Sequence, residues 1–156
     1  MSLDADVAIL RELPLFAAFT DDQLRLVAFS AEPIQIMPGA VLFEEGAPAV
    51  SGFLLVTGRI GLSVKGEDGP IDKGTVGPGT LLGELALVCH TVRPVTAEAL
   101  ESCSLRSIPR RAVRRVLTEY PDVAIAMRHH LAERLQLMTG EFEQARHALL
   151  ALDEPR

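Results

Sequence analysis

Pro33-Ile-Gln-Ile-Met-Pro-Gly-Ala-Val-Leu-Phe-Glu-Glu-Gly-Ala-Pro-Ala-Val-Ser-Gly-Phe-Leu-Leu-Val-Thr-Gly-Arg-Ile-Gly-Leu-Ser-Val64 is a series of short apolar runs set between turn residues. Ile34 to Met37, Val41 to Phe43, Phe53 to Val56 and Ile60 to Val64 are each too short for a helix. Pro38-Gly39, Glu45-Gly46 and Thr57-Gly58 separate them, and Asp68-Gly69 follows. Eleven of the twelve glycines lie between Gly39 and Gly83, so this stretch and the C-terminal part are built differently. Many short strands joined by tight turns over 33–108 predict a sandwich or barrel.

On either side the apolar period changes from that of strands to that of helices. Asp4 to Leu13 and Asp21 to Ser30 carry helical spacing, and Thr20 ahead of Asp21, Asp22 and Gln23 has the form of a capping box, which makes 1–32 a helical lead-in. From Arg110 onward no strand-like run occurs; Pro121 divides a short helix, 110–119, from a long one starting near Asp122. The expected architecture is therefore mainly β with flanking helices, in one domain over 1–156, with C-terminal helices over 109–152. In the last helix Leu131, Leu135, Met138, Phe142, Ala145, Leu149 and Leu152 are spaced 4, 3, 4, 3, 4 and 3, a heptad seam with Gly140 on its outside. Such a seam packs either on the chain's own barrel or on a second copy, and its regularity favours a homodimer.

Composition removes several function classes. The 156 residues are 48% hydrophobic and 23% charged, enough for one folded core, and no apolar run approaches the roughly 20 residues of a membrane helix. A formal charge of -6 with a pI near 5.2 argues against direct DNA binding. The cluster Arg106, Arg110, Arg111, Arg114 and Arg115 has a basic patch's composition, but is expected to be a solvated face rather than a seat for nucleic acid or a partner's acids. Cys89 and Cys103 are expected as buried structural thiols; without a disulfide framework or a secretory leader, the expected location is cytoplasmic. His90, His129, His130 and His147 show no metal-ligand spacing, so neither a metal site nor a metal-dependent barrel enzyme is expected.

The densest chemistry lies in Gly79-Thr-Leu-Leu-Gly-Glu-Leu-Ala-Leu-Val-Cys-His-Thr-Val-Arg-Pro-Val-Thr96. Amides opening a helical turn at Glu84, Leu85 and Ala86 are donors suited to an anion, and Gly83 lets a ligand approach the backbone. Arg93 adds a guanidinium that pairs well with phosphate, whereas the Glu84 carboxylate only accepts hydrogen bonds and so complements a sugar hydroxyl. Donors for phosphate beside an acceptor for ribose describe a nucleotide. Taken singly, Arg93 reads as a surface arginine and Glu84 as a first-turn acid; their joint spacing favours a site.

This segment resembles the phosphate-binding cassette of cyclic nucleotide-binding domains, as in catabolite activator proteins, kinase regulatory subunits and nucleotide-gated channels. Gly83-Glu84-Leu85-Ala86-Leu87, then Arg93 and Thr96, stand at the family's spacing. Leu13-Pro14-Leu15-Phe16, Pro38 to Gly46 and Phe53 to Ile60 look like its other landmarks, so the resemblance runs from about 10 to 140. It implies a β jelly-roll barrel flanked by helices, with cyclic phosphate held by Arg93 and the cassette amides, and the ribose 2'-hydroxyl on Glu84. It also implies that a last-helix side chain, here Arg134, covers the base, and that Thr96 either contacts the ligand or fills a strand position.

Two residues depart from the family pattern. Pro94 follows Arg93 where an amide commonly touches the phosphate, and proline has none; losing one such bond is worth roughly 1.5 to 3 kcal/mol. The missing hydroxyl residue after the arginine also makes cGMP a less expected ligand than cAMP. Leu82, often Phe in the family, changes packing only. The expected function is a non-enzymatic cAMP-binding regulatory module that signals to a partner through its C-terminal helices, since too few residues follow the long helix for a helix-turn-helix output domain. The alternative is a barrel that no longer binds nucleotide and acts as a dimerising scaffold.

Overall fold

The computed structural model describes residues 3–137, with side chains as far as Arg134. Helices α1 (Leu3–Arg11) and α2 (Asp21–Ser30) lead in, joined through a 3-10 turn at Pro14–Phe16. The capping box forms as its sequence predicts: the Gln23 amide donates to the Thr20 hydroxyl at 3.3 Å, and the Thr20 amide to the Gln23 side chain at 2.9 Å.

Ten strands follow: β1 (Glu32–Ile36), β2 (Val41–Phe43), β3 (Pro48–Ala49), β4 (Ser51–Thr57), β5 (Ile60–Gly66), β6 (Gly69–Val76), β7 (Leu81–Leu82), β8 (Thr91–Val92), β9 (Thr96–Ala99) and β10 (Cys103–Pro109). They form two four-stranded antiparallel sheets, β1-β10-β4-β7 and β2-β9-β5-β6, and a two-stranded ribbon, β3-β8. This is the β jelly roll flanked by helices that the sequence leads one to expect. A 3-10 turn, Glu84–Leu87, sits between β7 and β8, and α3 (Arg110–Glu119) and α4 (Pro121–Leu137) close the described chain. Proline at the head of α4 has no amide to leave unpaired there, which is why Pro121 divides the two helices.

Strand alternation serves two cores. Phe53 and Leu55 of β4 and Cys103 and Leu105 of β10 point into the barrel with Ile60, Leu82, Ala97 and Ala99. Leu54 and Ile108 point the other way, into a cluster with Leu10, Phe16, Leu24, Val27, Val113, Val116, Met127 and Leu131. Sheet β1-β10-β4-β7 is thus sandwiched between the barrel interior and the helices. Leu131, the first residue of the heptad seam, is buried in this chain's own helical core; the seam from Leu135 onward lies outside the described side chains.

The basic cluster is not one solvated face. Arg111, Arg114 and Arg115 are exposed, but alternation along β10 turns Arg106 toward α1, where its Nε meets the Asp6 carboxylate at 3.1 Å with both side chains nearly buried. That pair ties the lead-in to the barrel. Replacing Asp6 by alanine strands a buried guanidinium and should lower stability by about 3 kcal/mol, whereas the double Asp6→Leu/Arg106→Met variant should recover most of it. Urea unfolding of the three proteins checks both expectations.

Candidate functional site

Arg93 leaves β8 with its main chain fixed by the β3 side of the ribbon. Its amide donates to the Ala47 carbonyl and its carbonyl accepts from the Gly46 amide, each at 2.8 Å. The side chain enters the barrel and is only 4% exposed. Its guanidinium carbon lies 4.5 Å from the ring centre of Phe43 and 5.3 Å from that of Phe53, and the two rings stack at 6.0 Å. Nη1 is buried without a hydrogen-bond partner among the described residues. Burial pulls the group's pKa below the usual arginine range, and the neighbouring positive Arg110 adds to the shift. Aromatic faces offset roughly 2 kcal/mol of a desolvated cation, less than its burial costs, so the geometry calls for an anion from outside.

Gly83 makes this approach possible. Its φ is +77°, and a Cβ there would collide with Arg93 Nη1. The cassette turn that follows is 3-10 rather than α, which changes the count of free donors. A 3-10 turn bonds each amide three residues back, and the Ala86 amide donates to the Gly83 carbonyl at 3.0 Å. Ala86 is therefore not the free donor expected from the sequence; the amides of Glu84 and Leu85 have no acceptor among the described residues.

The remaining candidates differ in what already holds them. Arg134 of α4 reaches the site, where its Nη1 pairs with the Glu84 carboxylate. Thr96, on β9, accepts a hydrogen bond from the Glu45 amide at 2.9 Å, and the Glu45 carboxylate accepts from the Lys65 amide at 2.8 Å, so this hydroxyl joins the β2-β3 turn to the second sheet while its own hydrogen remains available. Pro94 is exposed at the end of the ribbon. Cys89 and Cys103 are both buried, and burial pushes the Cys89 thiol up despite the opposing charge of Arg110. No group of three or more potential metal ligands occurs among the described residues.

Arg110, counted by sequence with the solvated arginines, is the residue the sequence reading missed. From the first position of α3 its Nε donates to the Ala86 carbonyl at 2.7 Å, its Nη1 meets His90 Nδ1 at 2.8 Å, and its Nη2 donates to the Ala49 carbonyl. Its sequence signal is its place directly after Pro109 at the junction of β10 and α3.

The jelly roll thus places a buried arginine, whose Nη1 has no hydrogen-bond partner among the described residues, against a glycine-opened turn. The sequence model of the cyclic nucleotide-binding domain matches residues 33–120, and the chain belongs to that family. Similar solved structures include a cyclic nucleotide-binding-like protein from Brucella abortus, 41% identical with a TM-score of 0.69, covering 74% of this chain and 99% of that one. The N-terminal domain of a transcriptional regulator from Streptomyces coelicolor is 30% identical with a TM-score of 0.74, covering 85% and 96% respectively. Among curated relatives, a lysophospholipase from Aspergillus oryzae is 28% identical over 111 residues, which are 70% of this chain and 7% of that protein. The chain thus spans less than a tenth of the length of the curated relatives it matches first.

Gly83→Ala forces a left-handed backbone on a residue with a Cβ and displaces the Arg93 guanidinium. It should lower stability by about 1 to 2 kcal/mol from the backbone alone, read by thermal or urea unfolding. In the folded wild type both thiols should react with an aromatic disulfide reagent only after denaturant is added.

Proposed function

We propose that this chain is a non-enzymatic regulatory module that binds a cyclic nucleotide, with cAMP favoured, and passes occupancy to its C-terminal helices. The observation that carries this reading is the buried Arg93 guanidinium, its Nη1 without a hydrogen-bond partner among the described residues and set against Gly83 at the head of the cassette turn. The cyclic phosphate is seated on Arg93 and those amides, with Gly83 allowing its approach, and the ribose 2'-hydroxyl donates to Glu84. Ala86 shapes the turn through its bond to Gly83, and Thr96 supports the barrel wall. Arg134 engages the ligand's side of the pocket through Glu84, so bound nucleotide changes what α4 meets there. Pro94, with no amide or side-chain hydroxyl, favours cAMP over cGMP and lowers affinity for both. The same module dimerises through the part of the seam that continues from Leu135 past Phe142, Leu131 being taken up by the chain's own core, acts on a protein partner in the cytoplasm, and does not itself contact DNA.

Titration calorimetry with cAMP and cGMP tests the site. Saturable binding with cAMP favoured is expected, and Arg93→Ala should weaken it by about 100-fold, the equivalent of its charge-assisted bonds. Pro94 supports one other reading, a scaffold barrel without ligand; absence of heat and of competition at millimolar nucleotide would establish that reading instead. Sedimentation should give a dimer at tens of micromolar that Leu135→Glu or Phe142→Glu dissociates, and a monomeric wild type would overturn the seam.

A further inference from the structure

We propose that Arg110 is a positioning residue that sets the shape of the phosphate-binding turn and fastens it to α3. The proposal deepens the reading above and rests on it for the ligand. Three segments that build the candidate site meet at this one guanidinium. Nε holds the Ala86 carbonyl in the cassette turn, Nη1 holds His90 in the loop that returns to Arg93, and Nη2 holds the Ala49 carbonyl in β3. The Arg110 amide donates to the Val50 carbonyl at 3.1 Å, so the base of the strut is fixed as well. Ala49 pairs with Thr91, and Arg93 lies two residues beyond, so Nη2 fixes the ribbon from which Arg93 enters the barrel.

Arg110 is also the first residue of α3, whose Val113 and Val116 share a core with Leu87, the last residue of the cassette turn. A change in the cassette that moves the Ala86 carbonyl must therefore break the Arg110 bond or carry the start of α3 with it, and α4 follows directly after α3. Three acceptors around one planar fork suit arginine and no other side chain; a lysine in its place has one nitrogen and satisfies one of them well.

The test uses the full chain with Arg110→Lys, which keeps charge and stem, and Arg111→Lys on the exposed side of the same helix as control. Amide NMR spectra without ligand read the strut. Arg110→Lys should shift the resonances of Gly83 to His90 and of the first turn of α3, leaving Leu55, Ile60 and Leu105 in place. Calorimetry reads its consequence, about a tenfold loss of cAMP affinity in Arg110→Lys and no change in Arg111→Lys. Unchanged cassette resonances, or unchanged affinity in a wild type that binds, overturn the proposal. Global loss of the spectrum in Arg110→Lys also overturns it, because the residue would then hold the fold and not the turn. A wild type that binds no nucleotide sinks the ligand reading, while the ligand-free spectra still decide whether Arg110 ties the turn to the helix.

Discussion

A positive charge buried with no ion-pair partner among the described residues is the constraint around which this barrel is arranged. Moving a guanidinium out of water costs several kcal/mol even after local relaxation, and a fold with a net stability of about 5 to 15 kcal/mol does not carry such a group by default. Here the surrounding structure holds it in place from several directions. The ribbon clamps its main chain, Phe43 and Phe53 present their ring faces, and Gly83 leaves the space that any side chain would fill. Those two rings come from β2 and β4, which belong to different sheets, so the Arg93 side chain is also a point where the two halves of the jelly roll meet. An anion seated there satisfies the charge and adds its binding energy to the native state alone.

The backbone around that charge is organised to be short and stiff. A 3-10 turn of four residues spends the Ala86 amide on Gly83 and leaves those of Glu84 and Leu85 without an acceptor among the described residues, a smaller donor set than an α-helical start presents. With Pro94 unable to donate, the proposed phosphate site rests on Arg93 and two amides. Arg110 acts at one remove: it satisfies the Ala86 carbonyl and thereby limits how far those amides can drift. Its charge also raises the local positive potential that Arg93 experiences, which strengthens the attraction for an anion.

The parts of this arrangement that the sequence discloses are those coded locally. The capping box at Thr20 and Gln23, the apolar runs of β1, β2, β4 and β5, and the break at Pro121 depend on neighbours a few residues away, and each stands where its pattern places it. β6 is harder to read because Gly69–Val76 is almost wholly exposed and contains Pro70, Asp72 and Lys73; only its pairing with β5 makes it a strand. β3 and β8 are two residues long, below any periodicity. In the candidate site, residue types and spacing identify Gly83, Glu84 and Arg93, but partners do not follow from spacing. Arg106 finds Asp6 exactly 100 positions away, and Arg134 finds Glu84 across 50. Arg106 and Arg110 look like members of one basic surface until strand alternation and the start of α3 turn them inward.

The Glu84–Arg134 pair decides the sign of any coupling between the pocket and α4. An ionised carboxylate has two oxygens and about four lone-pair sites, so Arg134 on one oxygen leaves acceptor capacity for a sugar hydroxyl on the other. If ligand and Arg134 share Glu84, occupancy strengthens the hold on α4; if the ribose takes the place of the guanidinium, occupancy releases it. Either way the helix responds only through the difference in free energy between the two arrangements, not through the tightness of ligand binding as such. The pair is partly exposed, with about half of the Arg134 side chain in solvent, so its own worth is of the order of 1 kcal/mol or less. A lever that weak moves α4 only if α4 is poised. Leu131 and Met127, buried on the helical core about one and two turns before Arg134, hold the near end of the helix in either arrangement. On the proposed reading, a response set through Glu84 is therefore confined to the chain from about Arg134 onward, where the apolar spacing of the sequence continues.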